Sequence, residues 1–270
     1  SSQMIEPMRI TETLKPITMS NPEPGVFIYD MGQNMVGWTK LTVMADEGTV
    51  IKQRFSETVN EDGTLYLANI RGARVTDTYI TKGEGTETWE PRFVFHGFRY
   101  VELSGYPGEP DLSTLEGKVI HDDLETTGHF ECSDPLINQI YKNAVWGIRG
   151  NYRSIPTDCP QRDERQGWLG DRAAGSRGES YMFDIRNLYK KWLVDIFDGQ
   201  KESGSVSDVC PAYWPFYGDN VTWAGTHIQL VKMLYDQYGD QDVISESYVP
   251  MKKWVDYMVE QYMQDNLMPR

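Results

Sequence analysis

The segment Ser133-Asp-Pro-Leu-Ile-Asn-Gln-Ile-Tyr-Lys-Asn-Ala-Val-Trp-Gly-Ile148 marks the point at which the hydrophobic period of this 270-residue chain changes. Its apolar side chains recur at intervals of three and four residues, which is typical of an amphipathic helix. Ser133 is predicted to cap this helix, and Pro135 to occupy its first turn. The apolar positions are Leu136, Ile137, Ile140, Tyr141, Ala144, Val145 and Ile148.

The helical pattern continues to the end of the chain. Further helices are predicted near Leu188–Phe197, Thr226–Tyr238 and Tyr248–Tyr262. Gly239-Asp240 is placed to end the second of these, because glycine readily adopts the left-handed conformation that follows many helices.

The residues before this segment favour strands instead. Runs rich in β-branched and aromatic residues alternate with glycine, proline and asparagine turns, as in antiparallel sandwiches. Phe93–Leu103 carries apolar residues at both parities, so we expect it to be covered on both faces. The predicted turns include 21–25, 46–48, 60–63 and 82–85. The predicted strands are Val26–Tyr29, Val36–Val43, Thr49–Phe55, Thr76–Thr81 and Phe93–Leu103.

The change of period predicts two domains. We place the boundary near residues 122–130, with a β-sandwich domain at 1–125 and an α-helical domain at 126–270. The fold class is therefore multidomain β plus α.

The composition excludes several classes of function. The net charge of −14 argues against binding to a phosphate backbone, which requires a basic surface. No apolar run approaches the ~18 residues of a membrane span. The first residues lack a signal-peptide pattern, but a processed N-terminus would look the same, so the compartment stays open.

Cysteine and histidine give no sign of a metal site or a disulfide framework. The chain has three cysteines and four histidines, with no CxxC, HxxxH or HExxH spacing. No metal and no cofactor is predicted.

One segment fits neither period: Asp158-Cys-Pro-Gln-Arg-Asp-Glu-Arg-Gln-Gly-Trp-Leu-Gly-Asp171. Pro160, Gly167 and Gly170 are expected to break any helix through it. A carboxyl that is crowded by like charge or pressed on an indole can serve as a general acid, while one paired with arginine stays ionised and can hold a hydroxyl. Glycoside hydrolysis needs both kinds of carboxyl group.

The same residues suit a second interpretation. Interleaved acids and arginines often form a structural ion-pair network where helices meet, and spacing alone does not separate this from catalysis. The segment lacks the Gly-Lys of a phosphate-binding loop, and no serine or cysteine has a histidine partner nearby.

The fourteen residues 158–171 closely resemble the active-site signature of the bacterial α-L-rhamnosidases, glycoside hydrolase family 78. Asp30-Met-Gly-Gln-Asn-Met-Val-Gly-Trp38 and Glu90-Pro-Arg-Phe-Val-Phe-His-Gly-Phe-Arg-Tyr100 are similar to the β-domain that precedes the catalytic domain of that family. Tyr235-Asp-Gln-Tyr-Gly-Asp240 is similar to its helical region. The resemblance extends over nearly the whole chain.

The resemblance implies roles for individual residues. Glu164 matches the general acid that protonates the glycosidic oxygen. Asp158, Arg162 and Asp171 match residues that hydrogen-bond the rhamnose hydroxyls. Trp168 matches an aromatic wall of the sugar pocket, and Trp223 is the candidate for another.

Other residues near the signature are less determined. Core packing is the alternative role for Trp168 and Trp223, and pairing with a neighbouring arginine is the default for Asp163. A further aromatic cluster could line more subsites, although we expect at least two of its members to pack in the core. The cluster consists of Tyr213, Trp214, Phe216 and Tyr217.

The family resemblance also implies an (α/α)6 barrel of the six-hairpin glycosidase type, of which residues 126–270 can supply only the first helices. The chain is therefore expected to be a piece of a longer enzyme, and no residue matches the family's general base. Arg172-Ala-Ala174 and Trp223-Ala-Gly-Thr226 depart from the common family pattern, which leaves the exact substrate in doubt.

Three functions remain in view. The first is an inverting α-L-rhamnosidase acting on a rhamnose-containing glycoside or polysaccharide. The second is another glycoside hydrolase on the same kind of barrel, and the third is a non-catalytic carbohydrate-binding or scaffold fragment. The aglycone, the linkage and the oligomeric state do not follow from the sequence.

Overall fold

The computed structural model describes residues 3–265, so the outermost residues of both predicted domains lie outside the described part of the chain. Strands occupy the first half of this range and helices the second. The strands are β1 (Met8–Leu14), β2 (Thr18–Glu23), β3 (Val26–Met44), β4 (Val50–Ser56), β5 (Thr76–Ile80), β6 (Thr86–Trp89), β7 (His96–Ser104) and β8 (Leu115–Asp122).

All strand pairs in this sheet are antiparallel, and the long strand β3 organises them. The strand order is β1-β8-β3-β7-β4-β5, and β2 and β6 also pair with β3. A bulge between Asp30 and Met35 divides β3. Its first part pairs with β2 and its last part with β8 and β6, so the strand passes from one set of neighbours to another. The result is the expected sandwich-like, curled antiparallel sheet.

The inner face of the sheet forms its own hydrophobic core. The largest fully buried side chains include Tyr29, Phe55, Phe98, Leu103 and Leu115. Val101 and Leu103 alternate with half-buried residues along β7, but Ile28, Ser56 and Gly97 are buried as well, so parts of these strands are covered on both faces.

Strands β1, β2, β6 and β8 were not predicted, and the strands that were predicted need three corrections. The two predicted strands in 26–43 are one strand, because the bulge bends the chain without ending the pairing. Asn21–Glu23 belong to β2, where the Asn21 side chain donates to the Glu23 and Val26 carbonyls. The strand expected to begin at Phe93 begins at His96, and Phe93 is fully exposed with a left-handed φ of 60°.

The second half contains the expected helices, the last of which begins at Asp242 rather than near Tyr248, and three shorter ones. They are α1 (Pro135–Arg149), α2 (Leu169–Ala173), α3 (Ser176–Glu179), α4 (Arg186–Asp198), α5 (Val221–Ala224), α6 (Thr226–Tyr238) and α7 (Asp242–Tyr262). Gly239 ends α6 with a φ of 65°, which confirms its predicted role. No helix in the range 3–265 is both long and apolar enough to cross a membrane.

Helix α1 differs from its prediction at the cap and on its apolar face. The cap is Asp134, not Ser133, and its carboxylate accepts from the Leu136 N–H while Pro135 begins the helix. The predicted apolar face packs only in part, because no residue of α1 is fully buried and the Ile140 side chain is 57% exposed. A strip of the helix therefore faces away from the protein.

A second hydrophobic core joins the helices. It contains Tyr152, Leu169, Trp192, Leu230 and Trp254, all buried. Leu169 begins α2 and is fully buried in this core. It therefore anchors the end of the segment 158–171 that the sequence singled out.

Candidate active site

Residues 158–171, which we call the site loop, connect the first part of the helical half to α2. The Asp158 N–H donates to the Gln166 carbonyl at 2.9 Å, and the Gln166 N–H donates to Asp158 Oδ1 at 2.7 Å. These bonds close the base of the loop. As predicted, residues 158–168 are not helical. The prediction is wrong for Gly170, which lies inside the short helix α2.

Arg162 lies between two carboxylates of the site loop. Its Nη2 is 3.2 Å from Glu164 Oε2 and 3.6 Å from Asp158 Oδ2. The Asp158 side chain is almost fully buried, whereas that of Glu164 is 18% exposed. A hydrogen bond with Cys159, and then the charges of Glu164 and Asp158, raise the pKa of Arg162. The guanidinium is therefore a fixed positive charge at the centre of the loop.

The acids at the tip of the loop contact the sheet. The Arg71 guanidinium forms an ion pair with Glu164 Oε1, and the Gly72 N–H donates to Asp163 Oδ2 at 3.2 Å. Asp163 was expected to pair with a neighbouring arginine by default. It accepts from a backbone N–H of the sheet half instead.

Asp171 lies on α2 near the same group of charges. It is exposed, yet the protein around its carboxyl removes enough water to raise its pKa. The Arg172 charge opposes this effect, and the negative charge of Glu164 adds to it. The carboxyl is thus open to a ligand and responsive to the charge of Glu164.

Trp168 is half-buried and belongs to an aromatic group at the surface rather than to the core. Its ring stacks on Phe216 with 5.9 Å between centroids and 19° between planes, and Trp214 meets it edge-on at 6.5 Å. The expectation that at least two of the cluster 213–217 pack in the core is wrong. Tyr213 and Phe216 are exposed, and Trp214 and Tyr217 are half-buried, because the segment runs along the surface beside the loop.

Trp223 packs against the helix that carries Asp171. A Cβ on Gly170 would lie 2.3 Å from atoms of the Trp223 indole, so the two approach as closely as only a glycine permits. The indole N–H is buried and has no partner among the described residues. Trp223 is therefore held one residue from Asp171.

A buried ion-pair network supports the loop from below. Arg172 donates from Nη1 to Glu179 Oε1 at 2.7 Å and from Nη2 to the Thr157 carbonyl at 2.5 Å. The hydroxyls of Tyr152 and Tyr189 donate to Glu179 Oε2. Burial lowers the pKa of Arg172, but the charge and hydrogen bond of Glu179 together with Tyr189 and Tyr152 outweigh it, and the net change is upward.

Three ligand atoms of a possible cation site also meet here. Asp158, Cys159 and Glu164 offer oxygen and sulfur atoms within 4.8 Å of one another. Arg162 already supplies positive charge to both carboxylates, and burial raises the pKa of the Cys159 thiol, which disfavours the thiolate that metals bind. The arrangement is better described as an ion-pair cluster than as a cation site.

The structure brings most of the predicted residues together. Arg162 contacts both Asp158 and Glu164, the charges of Asp171 and Glu164 interact, and Trp223 packs on α2. Sequence analysis missed Arg71 and Glu179. Arg71 is 93 residues from its partner, and Glu179 lies in a four-residue helix without a recognisable pattern. The unusual Arg172 was noticed, but its partner was not.

Two family models match the chain. The bacterial α-L-rhamnosidase six-hairpin glycosidase domain matches residues 125–269, and the bacterial α-L-rhamnosidase concanavalin-like domain matches residues 20–121. The ranges adjoin at the end of β8.

Relatives with these domains are similar over nearly all of the chain. An α-L-rhamnosidase of Streptomyces avermitilis is 42% identical over 257 residues, which is 95% of this chain and 25% of the relative. One of Formosa agariphila is 37% identical over 94% of this chain and 28% of its own length. The chain thus spans about a quarter of the curated relatives that it matches.

Solved structures agree with this similarity. The structure of an α-L-rhamnosidase from Dictyoglumus thermophilum is 49% identical with a TM-score of 0.94, covering 96% of this chain and 29% of that one. The Streptomyces avermitilis enzyme complexed with L-rhamnose is 41% identical with a TM-score of 0.96, covering 99% and 26%. On the match of its sheet, its helices and its sequence, the chain belongs to the bacterial α-L-rhamnosidase family.

Proposed function

We propose that this chain carries the acid half of the active site of an enzyme that hydrolyses terminal, non-reducing α-L-rhamnose from α-L-rhamnosides. One observation carries the proposal: the partly exposed Glu164 carboxyl lies in one cluster with Asp158, Arg162 and Asp171, the residues that match the sugar-binding positions. A purely structural ion-pair network has no need to leave a carboxyl open to solvent at its tip. The names of the relatives support the substrate class.

In the proposed reaction Glu164 donates its proton to the glycosidic oxygen as the bond to the sugar breaks. Asp158, Arg162 and Asp171 hold the rhamnose hydroxyls, which fixes the ring relative to Glu164. Trp168 and Trp223 supply apolar walls that suit the faces of a sugar. Positive charge develops on the sugar ring at the same time, and the nearby carboxylates stabilise it.

We infer that the configuration at the anomeric carbon is inverted. An inverting enzyme places its acid and its base about 6.5–9.5 Å apart, with a water molecule next to the base. No acid of the site loop is suited to be that base. Asp158 is buried against Arg162, Asp163 is bonded to Gly72, and Asp171 is assigned to a hydroxyl. We propose that the base lies outside these 270 residues, because no residue of the chain matches the family's general base.

The test is an assay of a protein that contains this chain together with the rest of the six-hairpin domain. Aryl α-L-rhamnoside is compared with aryl α-L-arabinoside, β-D-glucoside and β-D-glucuronide at equal concentration. Selective cleavage of the rhamnoside, with β-L-rhamnose as the first anomer in proton NMR spectra, is the expected result. Preference for another glycoside, or α-L-rhamnose appearing first, contradicts the substrate or the inversion.

The same assay on the purified 270-residue chain tests where the base lies. We expect no significant hydrolysis by this chain alone. Robust turnover would place the base within it, and Asp158 would then be the first residue to re-examine.

A further inference from the structure

The connection between β4 and β5 reaches from the sheet to the site loop. We call residues 67–74 the sheet loop. Ala68–Ile70 form a single 3-10 turn, and the Ile70 side chain is buried in the core of the sheet. Arg71 follows with a left-handed φ of 56°, and its side chain is 54% exposed. The buried Ile70 thus fixes the base from which Arg71 extends.

Two consecutive residues of the sheet loop contact two consecutive acids of the site loop. Arg71 forms the ion pair with Glu164, and the Gly72 N–H donates to Asp163 Oδ2. A Cβ on Gly72 would lie 3.0 Å from that same oxygen, so the backbone and the carboxylate are in close contact.

Other parts of the sheet hold the site loop from the same direction. Arg165 donates from Nη1 to the Phe95 carbonyl at 2.8 Å, just before β7 begins. A Cβ on Gly97, within β7, would lie 2.8 Å from Pro160 Cγ. The site loop therefore contacts the sheet half at Pro160, at its tip and at Arg165. Among these contacts, the one made by Arg71 reaches Glu164.

We propose that Arg71 is a positioning residue for Glu164, and this inference rests on the proposed function. Its guanidinium orients the carboxyl and stabilises the negative charge that appears there when the proton moves to the glycosidic oxygen. Only interactions that are stronger in the transition state than in the ground state accelerate a reaction. In the proposed reaction Glu164 carries the proton when substrate is bound, and its full ion pair with Arg71 forms only as the proton leaves. The Arg71 contact is then stronger in the transition state than in the ground state.

The second cation does not make Arg71 redundant. Arg162 contacts Glu164 through Oε2, but it also faces Asp158 and is assigned to a sugar hydroxyl. Arg71 contacts the other oxygen, and no second carboxylate pairs with it among the described residues. Its charge is thus directed to Glu164 alone.

The test uses Arg71→Ala, Arg71→Gln and Arg71→Lys in the protein with the complete six-hairpin domain. The control is Arg74→Ala, an exposed arginine of the same loop. Each variant is assayed on a nitrophenyl α-L-rhamnoside, whose leaving group needs little protonation, and on the methyl glycoside, which needs much. Thermal melting of each variant checks folding.

We expect Arg71→Ala and Arg71→Gln to lose about tenfold to hundredfold in kcat on the methyl glycoside, with KM nearly constant. The loss on the nitrophenyl substrate should be several times smaller, Arg71→Lys should recover part of the rate, and Arg74→Ala should match wild type. The nitrophenyl activity also shows that a variant is folded.

Several outcomes overturn the inference. Equal losses of kcat on both substrates, or no recovery with Arg71→Lys, would mean that Arg71 has only a structural role. Unchanged kinetics of all Arg71 variants would mean that Arg71 has no role in the reaction. If Arg71→Ala does not fold, the comparison of Arg71→Gln with Arg71→Lys decides. A wild-type protein that does not cleave either rhamnoside refutes the proposed function, and the inference with it, whereas an active wild type with unaffected variants refutes only the inference.

Discussion

Arg172 and Glu179 are paired at 2.7 Å beneath the site loop, and both side chains are less than a tenth exposed. Arg172 also holds the Thr157 carbonyl, one residue before Asp158. The pair thus connects the hydrophobic core of the helices to the beginning of the loop. Arg172 is therefore part of the support of the site.

Glu179→Gln should destabilise the helical half by about 3–5 kcal/mol, because it leaves a buried guanidinium without its counter-charge. Equilibrium denaturation followed by tryptophan fluorescence measures this change. The control is Lys232→Ala, which removes an exposed helix pair with Asp236 and should cost less than about 1 kcal/mol. Equal effects of the two variants would mean that Arg172 finds another partner or that water enters.

Glu164→Gln should reduce kcat by about 10²–10⁴-fold, because the amide cannot donate the proton. The reduction should be smaller on substrates with activated leaving groups. Asp163→Asn is the matched control, since an amide oxygen can still accept from the Gly72 N–H, and it should remain close to wild type. A uniform loss across leaving groups would favour the structural network over the acid.

Trp168→Ala should weaken sugar binding and raise KM roughly tenfold, through lost aromatic contact and a wetter pocket. Steady-state kinetics on aryl α-L-rhamnoside separate KM from kcat. Trp38→Ala serves as the control, because that indole is half-buried in the sheet and donates to Glu90. If a folded Trp168→Ala protein keeps the wild-type KM, the sugar binds elsewhere.

Asp171→Asn should lower kcat at least about tenfold, because hydrogen bonds to the ring hydroxyls strengthen as positive charge develops on the sugar. The comparison is Asp236→Asn, a carboxylate on α6 whose exposed partner is Lys232. An effect confined to KM would mean that Asp171 binds the ground state and the transition state equally.

His227 should make stability depend on pH. It is buried between Phe197 and Trp254, and burial lowers its pKa to about 4. In the unfolded chain this imidazole titrates near pH 6.5. The buried, neutral His227 therefore contributes fully to the free energy of unfolding above pH 6.5. This contribution, up to about 3 kcal/mol, is lost as the pH falls from 6.5 to 4.

The measurement is the free energy of unfolding of wild type and His227→Gln between pH 4 and 7. The difference should narrow toward low pH. The variant must be subtracted from wild type because burial also raises the pKa of Asp122 to about 6. Asp122 makes the free energy of unfolding fall as the pH rises, which opposes the effect of His227 over an overlapping pH range. A difference that does not change with pH would mean that His227 has the same pKa in the folded and unfolded states.

The sequence predicted those features that depend on a few neighbouring residues, such as helix ends and irregular loops. Gly239 ends α6 as expected, and the irregular, charged character of the site loop through Trp168 follows from its proline and glycine. Strands β1, β2, β6 and β8 were missed. Of these, β2 and β6 have only six and four residues, which carry too little alternation to be recognised. Ser133 was preferred to Asp134 as the cap because either side chain can accept a backbone N–H, and only the geometry of the turn chooses.

The contacts that organise the site lay beyond such patterns. Arg71 and Glu164 are far apart in sequence, and only the pairing of β4 with β7 and the path of the sheet loop bring them together. The exposure of Tyr213 and Phe216 depends on where the segment crosses the surface, which hydrophobicity does not encode.

The sheet loop has a consequence for exchanging parts between relatives. A chimaera that joins the sheet of one protein to the helices of another would keep both hydrophobic cores. It would still place a foreign loop against Asp163 and Glu164 unless residues 71 and 72 match. We therefore expect the sheet loop and the site loop to match in every active relative. A functional chimaera should require that both loops come from the same parent protein.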